Sequence, residues 1–180
     1  MVSLDRQPTL LGELLELRPL RADDFPALFG VAADPLIWEQ HPDWDRYQEA
    51  TFRAFFDEAL ASGGALVAID PANGHIVGSS RYHGYAPASS VVEIGWSFLA
   101  RAYWGGRYNG EMKRLMLEHA FRSVSRVIFI IGPQNRRSQR AVEKIGGVRT
   151  GTRTDARGRE RLVYELTPAL YARSQAAGGA

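Results

Sequence analysis

The sequence predicts an α/β fold of the α+β kind: a single domain on a mixed, mostly antiparallel sheet of about six or seven strands with flanking helices. Three observations predict it. Two short apolar strands meet at Pro71–His75, where Asn73-Gly74 is a strong hairpin signal because both residues tolerate positive φ. A strand, a helix and another strand follow one another between Val91 and Gly132, which makes that central pair parallel and its crossover right-handed. Two helices with apolar stripes precede the hairpin, and the helices pack on the faces of the sheet.

In chain order, Leu14–Leu20 alternates over its later residues and reads as a strand. Arg21-Ala22-Asp23-Asp24 opens a helix with acids in its first turn and Phe25, Leu28, Phe29 and Ala32 on one stripe; Asp34-Pro35 ends it. A loop, His41–Asp45, leads to a second helix over Tyr47–Ser62, with Phe52, Phe55, Phe56, Ala59 and Leu60 inward and Ser62-Gly63-Gly64 as its stop. The strands ALVAID and IVGSSRY form the hairpin, and VVEIGWSFL (Val91–Leu99) follows a turn at YAPASS. A helix runs from about Asn109 to Ser123, with Met112, Leu115, Met116, Ala120 and Phe121 on the buried stripe and Lys113 and Arg114 off it. VIFIIG (Val127–Gly132) is apolar throughout, as a strand covered on both faces would be. A helix over Asn135–Ile145 ends at Gly146-Gly147. VRTGTRT and RLVYEL form a last hairpin around DARGR, and a short helix follows Thr167-Pro168. The domain is therefore expected over residues 14–167, between an N-terminal extension (1–13) and a C-terminal tail (168–180).

At 180 residues the chain can bury a core as one domain. Its 22 basic and 20 acidic side chains leave a net charge of +2, which is no nucleic-acid signature by itself. The sequence has no cysteine, which excludes disulfides, thiolate catalysis and cysteine-ligated metals. His41, His75, His83 and His119 show no paired metal spacing, so no metal is expected. No apolar run approaches bilayer length and the start lacks a leader pattern, so a cytoplasmic protein without a membrane partner is expected. Arginines at 136, 137 and 140 and along the last hairpin raise a nucleic-acid partner, but no helix-turn-helix or base-stacking motif accompanies them.

Three stretches carry the candidate chemistry. In AYWGGRYNGEMKRLMLEHAF, Gly105, Gly106 and Gly110 stand where a helix begins, and the first N–H groups of a helix attract anions. Arg101 and Arg107 add charge there. Two readings are open: a cradle for a phosphate or pyrophosphate, or a glycine turn before an ordinary helix. Neither the phosphate-loop spacing nor a dinucleotide fingerprint is present. In the preceding strand, simple alternation puts Val92, Ile94, Trp96 and Phe98 on a core face and Glu93, Gly95 and Ser97 on the other. That second face either borders a groove, with Glu93 a general-base candidate, or faces solvent with Glu93 ion-paired. In GPQNRRSQRAVEKIGG, Asn135 can cap the helix and Ser138 follows at its next turn. Arg136, Arg137 and Arg140 favour a phosphate partner or form a solvated basic face.

These three stretches, in this order, resemble the GNAT superfamily of acyl-CoA-dependent N-acyltransferases, from about Leu14 to Thr167. The likeness is most specific in EIGWSFLARAYWGGRYNGEMKRLML and NRRSQRAVEKIGG, and LELRPLRADDFPALFGVAADPLIW is similar to the branch of ribosomal-protein N-terminal acetyltransferases. The resemblance implies an acetyl-CoA-dependent N-acetyltransferase in which an amine attacks the thioester directly. It implies that the Val91–Leu99 and Val127–Gly132 strands splay around the pantetheine arm, which bonds to the first of them near Ser97, Phe98 and Leu99. The pyrophosphate is implied to rest on the loop Trp104, Gly105, Gly106, Arg107, Tyr108, Asn109 and Gly110. Asn135, Ser138 and Arg140 are implied to meet the cofactor arm, and Glu93 matches a position often held by the general base. The segment with Trp38, Trp44 and His41 helps build the acceptor site in this family, and His83 and Tyr85 follow the strand before Val91; core, lid or loop placement is the alternative for each.

Two departures from the family pattern stand out. Arg107 occupies the place of the second small residue of the loop. Seven residues after Asn135, where many members carry a tyrosine that protonates the leaving thiolate, stands Val142. Ser138, a bound water or a tyrosine such as Tyr108 are the candidates for that role. The rival function is a non-catalytic acyl-CoA-binding module. The acceptor is left as a peptide N-terminus or a small-molecule amine, and the oligomeric state is open, a homodimer included.

Overall fold

The structure, a computed structural model, describes residues 3–178. Among these, eight strands form one sheet: β1 (Leu10–Leu11), β2 (Glu16–Pro19), β3 (Ala65–Asp70), β4 (His75–Ala86), β5 (Val91–Leu99), β6 (Arg126–Ile131), β7 (Val148–Thr154) and β8 (Glu160–Leu166). Their order is β1-β2-β3-β4-β5-β6-β8-β7. Only β5 and β6 are parallel; every other neighbouring pair is antiparallel. The strand beyond the expected seven is β1, two residues long in the segment read as an extension. It is too short to show a period.

Five α-helices cover the sheet: α1 (Phe25–Ala32), α2 (Glu49–Ala61), α3 (Arg107–Ala120), α4 (Arg136–Lys144) and α5 (Pro168–Gly178). Two apolar clusters fill the layers. One joins Met112, Met116 and Leu117 of α3 to Leu17, Tyr82, Val92, Ile94, Val127 and Phe129 of the sheet. The other joins Phe25 and Leu28 of α1 and Phe52 and Phe56 of α2 to Val67 and Phe98. The second is an aromatic stack, with Phe25 5.2 Å edge-on to Phe56 and Phe98 5.0 Å from Trp38. β6 is covered less evenly than its all-apolar sequence suggests: Val127, Phe129 and Ile131 are buried, while Ile128 and Ile130 are half-buried. Its second face borders the cavity described below.

The face assignment of β5 needs correction. Ser79 pairs with Phe98 and Arg81 with Gly95, so two steps of β4 span three of β5. The extra residue lies at a bulge where Trp96 adopts φ +52°. A bulge inverts the alternation beyond it. Val92 and Ile94 pack toward α3, but Trp96 and Phe98 pack with the α1–α2 cluster. Ser97 turns to the α3 side, where its Oγ meets Lys113 Nζ at 2.6 Å. Glu93 and Ser97 therefore stand on opposite faces.

The N-terminal segment is tied to α3 by one buried carboxylate. Glu111 accepts from the backbone N–H groups of Glu13 (3.1 Å), Leu14 (2.6 Å) and Leu15 (2.7 Å). Gly12 is needed beside it, since a Cβ there would lie 2.5 Å from Glu111 Oε2. Burial alone would raise the Glu111 pKa; the N–H groups of Leu14, Leu15 and Glu13, with Arg114, outweigh it and hold the carboxyl below its ordinary value. A carboxyl so depressed stabilises the fold above its unfolded pKa, and that contribution is lost as pH falls through the folded value. Glu111→Ala strands three N–H groups and is expected to cost about 3 kcal/mol in urea unfolding at pH 7, less at pH 3.

Candidate active site

β5 and β6 pair only at Val91–Arg126, Val92–Val127 and Glu93–Ile128. Past Ile128 their facing edges no longer bond to each other. A cavity of about 460 Å³ opens there, walled by Ile94–Leu99 of β5 and Phe129–Gly132 of the other strand's end. The loop before α3 and the first turn of α4 border it. The bulge at Trp96 and the turn at Gly132-Pro133 carry the two strands apart.

Two glycines shape the loop end before α3. Gly105 and Gly106 both take positive φ, 107° and 101°, which only glycine adopts without strain. A Cβ on Gly105 would meet nothing within 4 Å, so the space over the loop is open. Gly106 is the N-cap of α3, and among the described residues no side chain caps the helix, so its first N–H groups have no partner within it. Trp104 Nε1 donates to Leu99 O (2.9 Å) and fixes the loop across the end of β5. Arg137 lies 4.0 Å over the Trp104 ring, and the Lys144 ammonium is the nearest group to a Cβ built on Gly106, at 3.8 Å. Arg107 is the first residue of α3, exposed and outside the cavity wall, so it does not crowd the loop. Gly110 lies inside the helix and its N–H is spent on Gly106 O (2.7 Å), so that amide is not available to a ligand. Tyr108 packs edge-on to Tyr103, 4.8 Å between centroids, and does not reach the cavity.

On α4, Asn135 caps the helix, its Oδ1 accepting from Ser138 N at 3.1 Å. Both residues line the cavity, as does Val142; Arg140 is exposed and is not part of the lining. Trp38 and His41 line the opposite side. Trp38 is buried, with Nε1 donating to Ala32 O (2.8 Å), whereas Trp44 is exposed. His41 Nδ1 accepts from Asp43 N (3.0 Å) and Nε2 faces Arg46 Nη1 at 3.2 Å. Burial, then the Arg46 charge, push its pKa down to about 3, so the ring is neutral. His83 packs on Trp96 (5.1 Å between centroids) and Tyr85 against the α3-side core; neither lines the cavity.

Glu93 is 5% exposed on the α2-side face of β5, one strand step from the wall. Its Oε1 lies 3.5 Å from where a Gly95 Cβ would stand, and Gly95 itself lines the cavity. The missing side chain is what leaves the carboxylate open to that space. Burial raises the Glu93 pKa, against the opposing charges of Arg153 (Nη2 at 3.6 Å) and Arg81. Arg81 is 1% exposed and its Nε and Nη2 have no hydrogen-bond partner among the described residues; it stacks 4.6 Å from Trp96 and pairs with Glu58 at 3.1 Å.

Sequence reasoning missed Lys113. Placed off the apolar stripe of α3, it is 6% exposed and lines the floor of the cavity. Its Nζ donates to Ser97 Oγ and lies 5.3 Å from the Phe129 ring centroid. Burial, with no charged neighbour contributing, lowers its pKa from 10.5 to about 7. A basic group depressed in this way destabilises the fold, fully below its folded pKa and progressively less up to the unfolded one. Lys113→Met is therefore expected to raise Tm by roughly 5 °C at pH 7, with the gain shrinking toward pH 10.

Fold and site together show a cavity between two splayed parallel strands with a helix start at its mouth. The acetyltransferase (GNAT) domain family matches residues 15–148, and the chain belongs to that family. Membership supports acetyl transfer from acetyl-coenzyme A. Solved structures share the fold. A GCN5-related N-acetyltransferase from Brucella melitensis aligns over 94% of this chain and 85% of its own, at TM-score 0.77 and 22% identity. Mycobacterium smegmatis RimJ, in complex with CoA-disulfide, aligns over 98% and 92% at TM-score 0.70 and 19% identity. A ribosomal-protein-S5-alanine acetyltransferase from Vibrio fischeri aligns over 89% and 97% at TM-score 0.66 and 13% identity. No curated protein gives a significant sequence match. Among the described residues no helix is long and apolar enough to cross a membrane.

Proposed function

We propose that the protein moves an acetyl group from acetyl-coenzyme A to a primary amine, a peptide N-terminus or a small-molecule amine, by direct attack on the thioester. The observation that carries this reading is the cavity between β5 and β6 with the uncapped start of α3 at its mouth. The amides of Gly106 to Asn109, helped by Arg137 and Lys144, suit a diphosphate. The unpaired edge of β5 suits an amide-bearing arm, with Asn135 and Ser138 on the facing helix.

The attacking amine must be neutral, whereas a free alkylamine is protonated near neutrality. Glu93, directly or through water past Gly95, takes that proton. A backbone N–H of β5 facing the gap stabilises charge at the carbonyl oxygen as the C–N bond forms. Trp38 and His41 on one side, and His83 and Tyr85 beyond Glu93, are the candidates to shape acceptor choice. His41 stays neutral throughout and cannot act as an acid near pH 7.

The test is calorimetry with acetyl-coenzyme A, followed by thiol release against peptides, polyamines, amino acids and aminoglycosides. Binding with release on at least one amine supports transfer. Tight binding with no release on any acceptor favours a non-catalytic acyl-coenzyme A module. Absence of binding defeats both.

A further inference from the structure

We infer that Lys113 is the proton donor to the departing thiolate of coenzyme A. The inference rests on the acetyl-transfer reading above and adds to it the acid that the reaction needs. When the amine nitrogen bonds to the acetyl carbon and the C–S bond breaks, the electron pair goes to sulfur. The amine loses two protons in all: the one that Glu93 removes to make it neutral passes on to solvent before attack, the one that leaves nitrogen as the C–N bond forms goes to Glu93, and sulfur takes one from the Lys113 ammonium. Solvent restores the ammonium and clears Glu93 after product leaves, so atoms and charge balance.

Elimination along the cavity wall points to this residue. Val142 presents only methyl groups there. Ser97 and Ser138 are hydroxyls, too weakly acidic to give up a proton near neutrality. His41 is neutral and held between Asp43 N and Arg46. Arg46, Arg137 and Arg161 are guanidiniums, a group that keeps its protons. Tyr108 lies outside the wall. Lys113 remains, its ammonium at the cavity floor with Ser97 Oγ as its one hydrogen-bond acceptor among the described residues. An ammonium has three N–H groups, so two are left for a ligand.

Composition sharpens the point. Of the 22 basic side chains in the sequence, only Lys113 and Lys144 are lysines. A chain that otherwise uses arginine places at this buried position the cation that can release a proton. The groups facing it are uncharged: Ser97 from β5 and Phe129 from β6. Burial alone therefore tunes it to the neutral range, where general acids work best.

The test compares wild type with Lys113→Met and Lys113→Arg, reading coenzyme A affinity by calorimetry and thiol release from acetyl-coenzyme A across pH. Both variants are expected to bind coenzyme A within about threefold of wild type and to lose about tenfold in kcat. The defect is expected to shrink with an acetyl thioester of a more acidic thiol, such as a nitrothiophenyl ester, which leaves without help. In wild type, kcat is expected to fall on the alkaline side as Lys113 loses its proton, a limb absent from Lys113→Met. Undiminished turnover in Lys113→Met or in Lys113→Arg overturns the inference. So does a loss of affinity with kcat unchanged, which would make Lys113 a binding group only.

A second measurement needs no folded variant at position 113. Protein labelled at lysine Cε gives two side-chain NMR signals, and Lys144→Arg assigns them. One is expected to titrate near neutrality and to move on addition of coenzyme A. A Lys113 signal that titrates near the ordinary lysine value, or ignores coenzyme A, overturns the proposal. Wild type that fails to bind acetyl-coenzyme A at all sinks the acetyl-transfer reading instead, so the two failures are distinguishable.

Discussion

Glu93→Gln is expected to slow acetyl transfer about a hundredfold at neutral pH, the loss narrowing as pH rises toward the pKa of the free amine. The change keeps the shape of the side chain and removes the proposed base. At high pH the acceptor supplies its own neutral form and needs Glu93 less. Wild type should lose activity as pH falls, because a base must be ionised and burial raises this carboxyl above its ordinary value. Arg153, 3.6 Å from Glu93, opposes that shift, so Arg153→Met should move the acid limb to higher pH. Stability provides the control. A carboxyl whose pKa is raised by folding destabilises the native state once pH exceeds that pKa, so Glu93→Gln should melt at or above the wild-type temperature. An activity loss with unchanged or higher Tm is then a loss of chemistry. A Glu93→Gln profile that overlays wild type at every pH removes Glu93 from the role.

Much of this arrangement was legible in the sequence. The parallel unit followed from strand-helix-strand spacing, and the hairpin strands from Asn73-Gly74 and the DARGR turn, because these signals are local. The glycine loop and Asn135 were legible for the same reason: positive φ and helix capping are properties of a few adjacent residues. What depended on the third dimension was not. Alternation put Ser97 beside Glu93, and a single bulged residue, Trp96, reversed it; nothing in VVEIGWSFL marks that residue as the one with positive φ. Lys113 read only as a charged residue off the apolar stripe of its helix, a place that says nothing of a buried role. It is buried because β5 and β6 splay above it, leaving a space that no helical period reveals. Gly110 looked equivalent to Gly105 and Gly106 in the sequence, yet the helix starts at Arg107 and absorbs its amide.

That last distinction yields the second large effect. Gly106→Val is expected to weaken coenzyme A binding about a hundredfold, whereas Gly110→Ala should leave it unchanged and stabilise the protein by roughly 0.5–1 kcal/mol. At Gly106 the φ of 101° is unfavourable for any side chain, and a β-branched one forces the turn to relax. The protein itself offers no clash, since only Lys144 Nζ comes within 4 Å of the new Cβ. The damage therefore falls on whatever occupies the open side of the turn: the amides lose their aim and the isopropyl group fills the clearance. At Gly110 no atom lies within 4 Å of an added Cβ, φ is not positive and the amide already serves the helix, so alanine only removes unfolded-state freedom. Calorimetry with coenzyme A and with dephosphorylated pantetheine separates the contributions. The Gly106→Val defect should be large for the diphosphate-bearing ligand and nearly absent for pantetheine, because only the former reaches the start of α3. Equal losses for both ligands would mean that the strand gap, and not the glycine turn, had been disturbed. Full affinity in Gly106→Val would place the diphosphate somewhere other than this helix end.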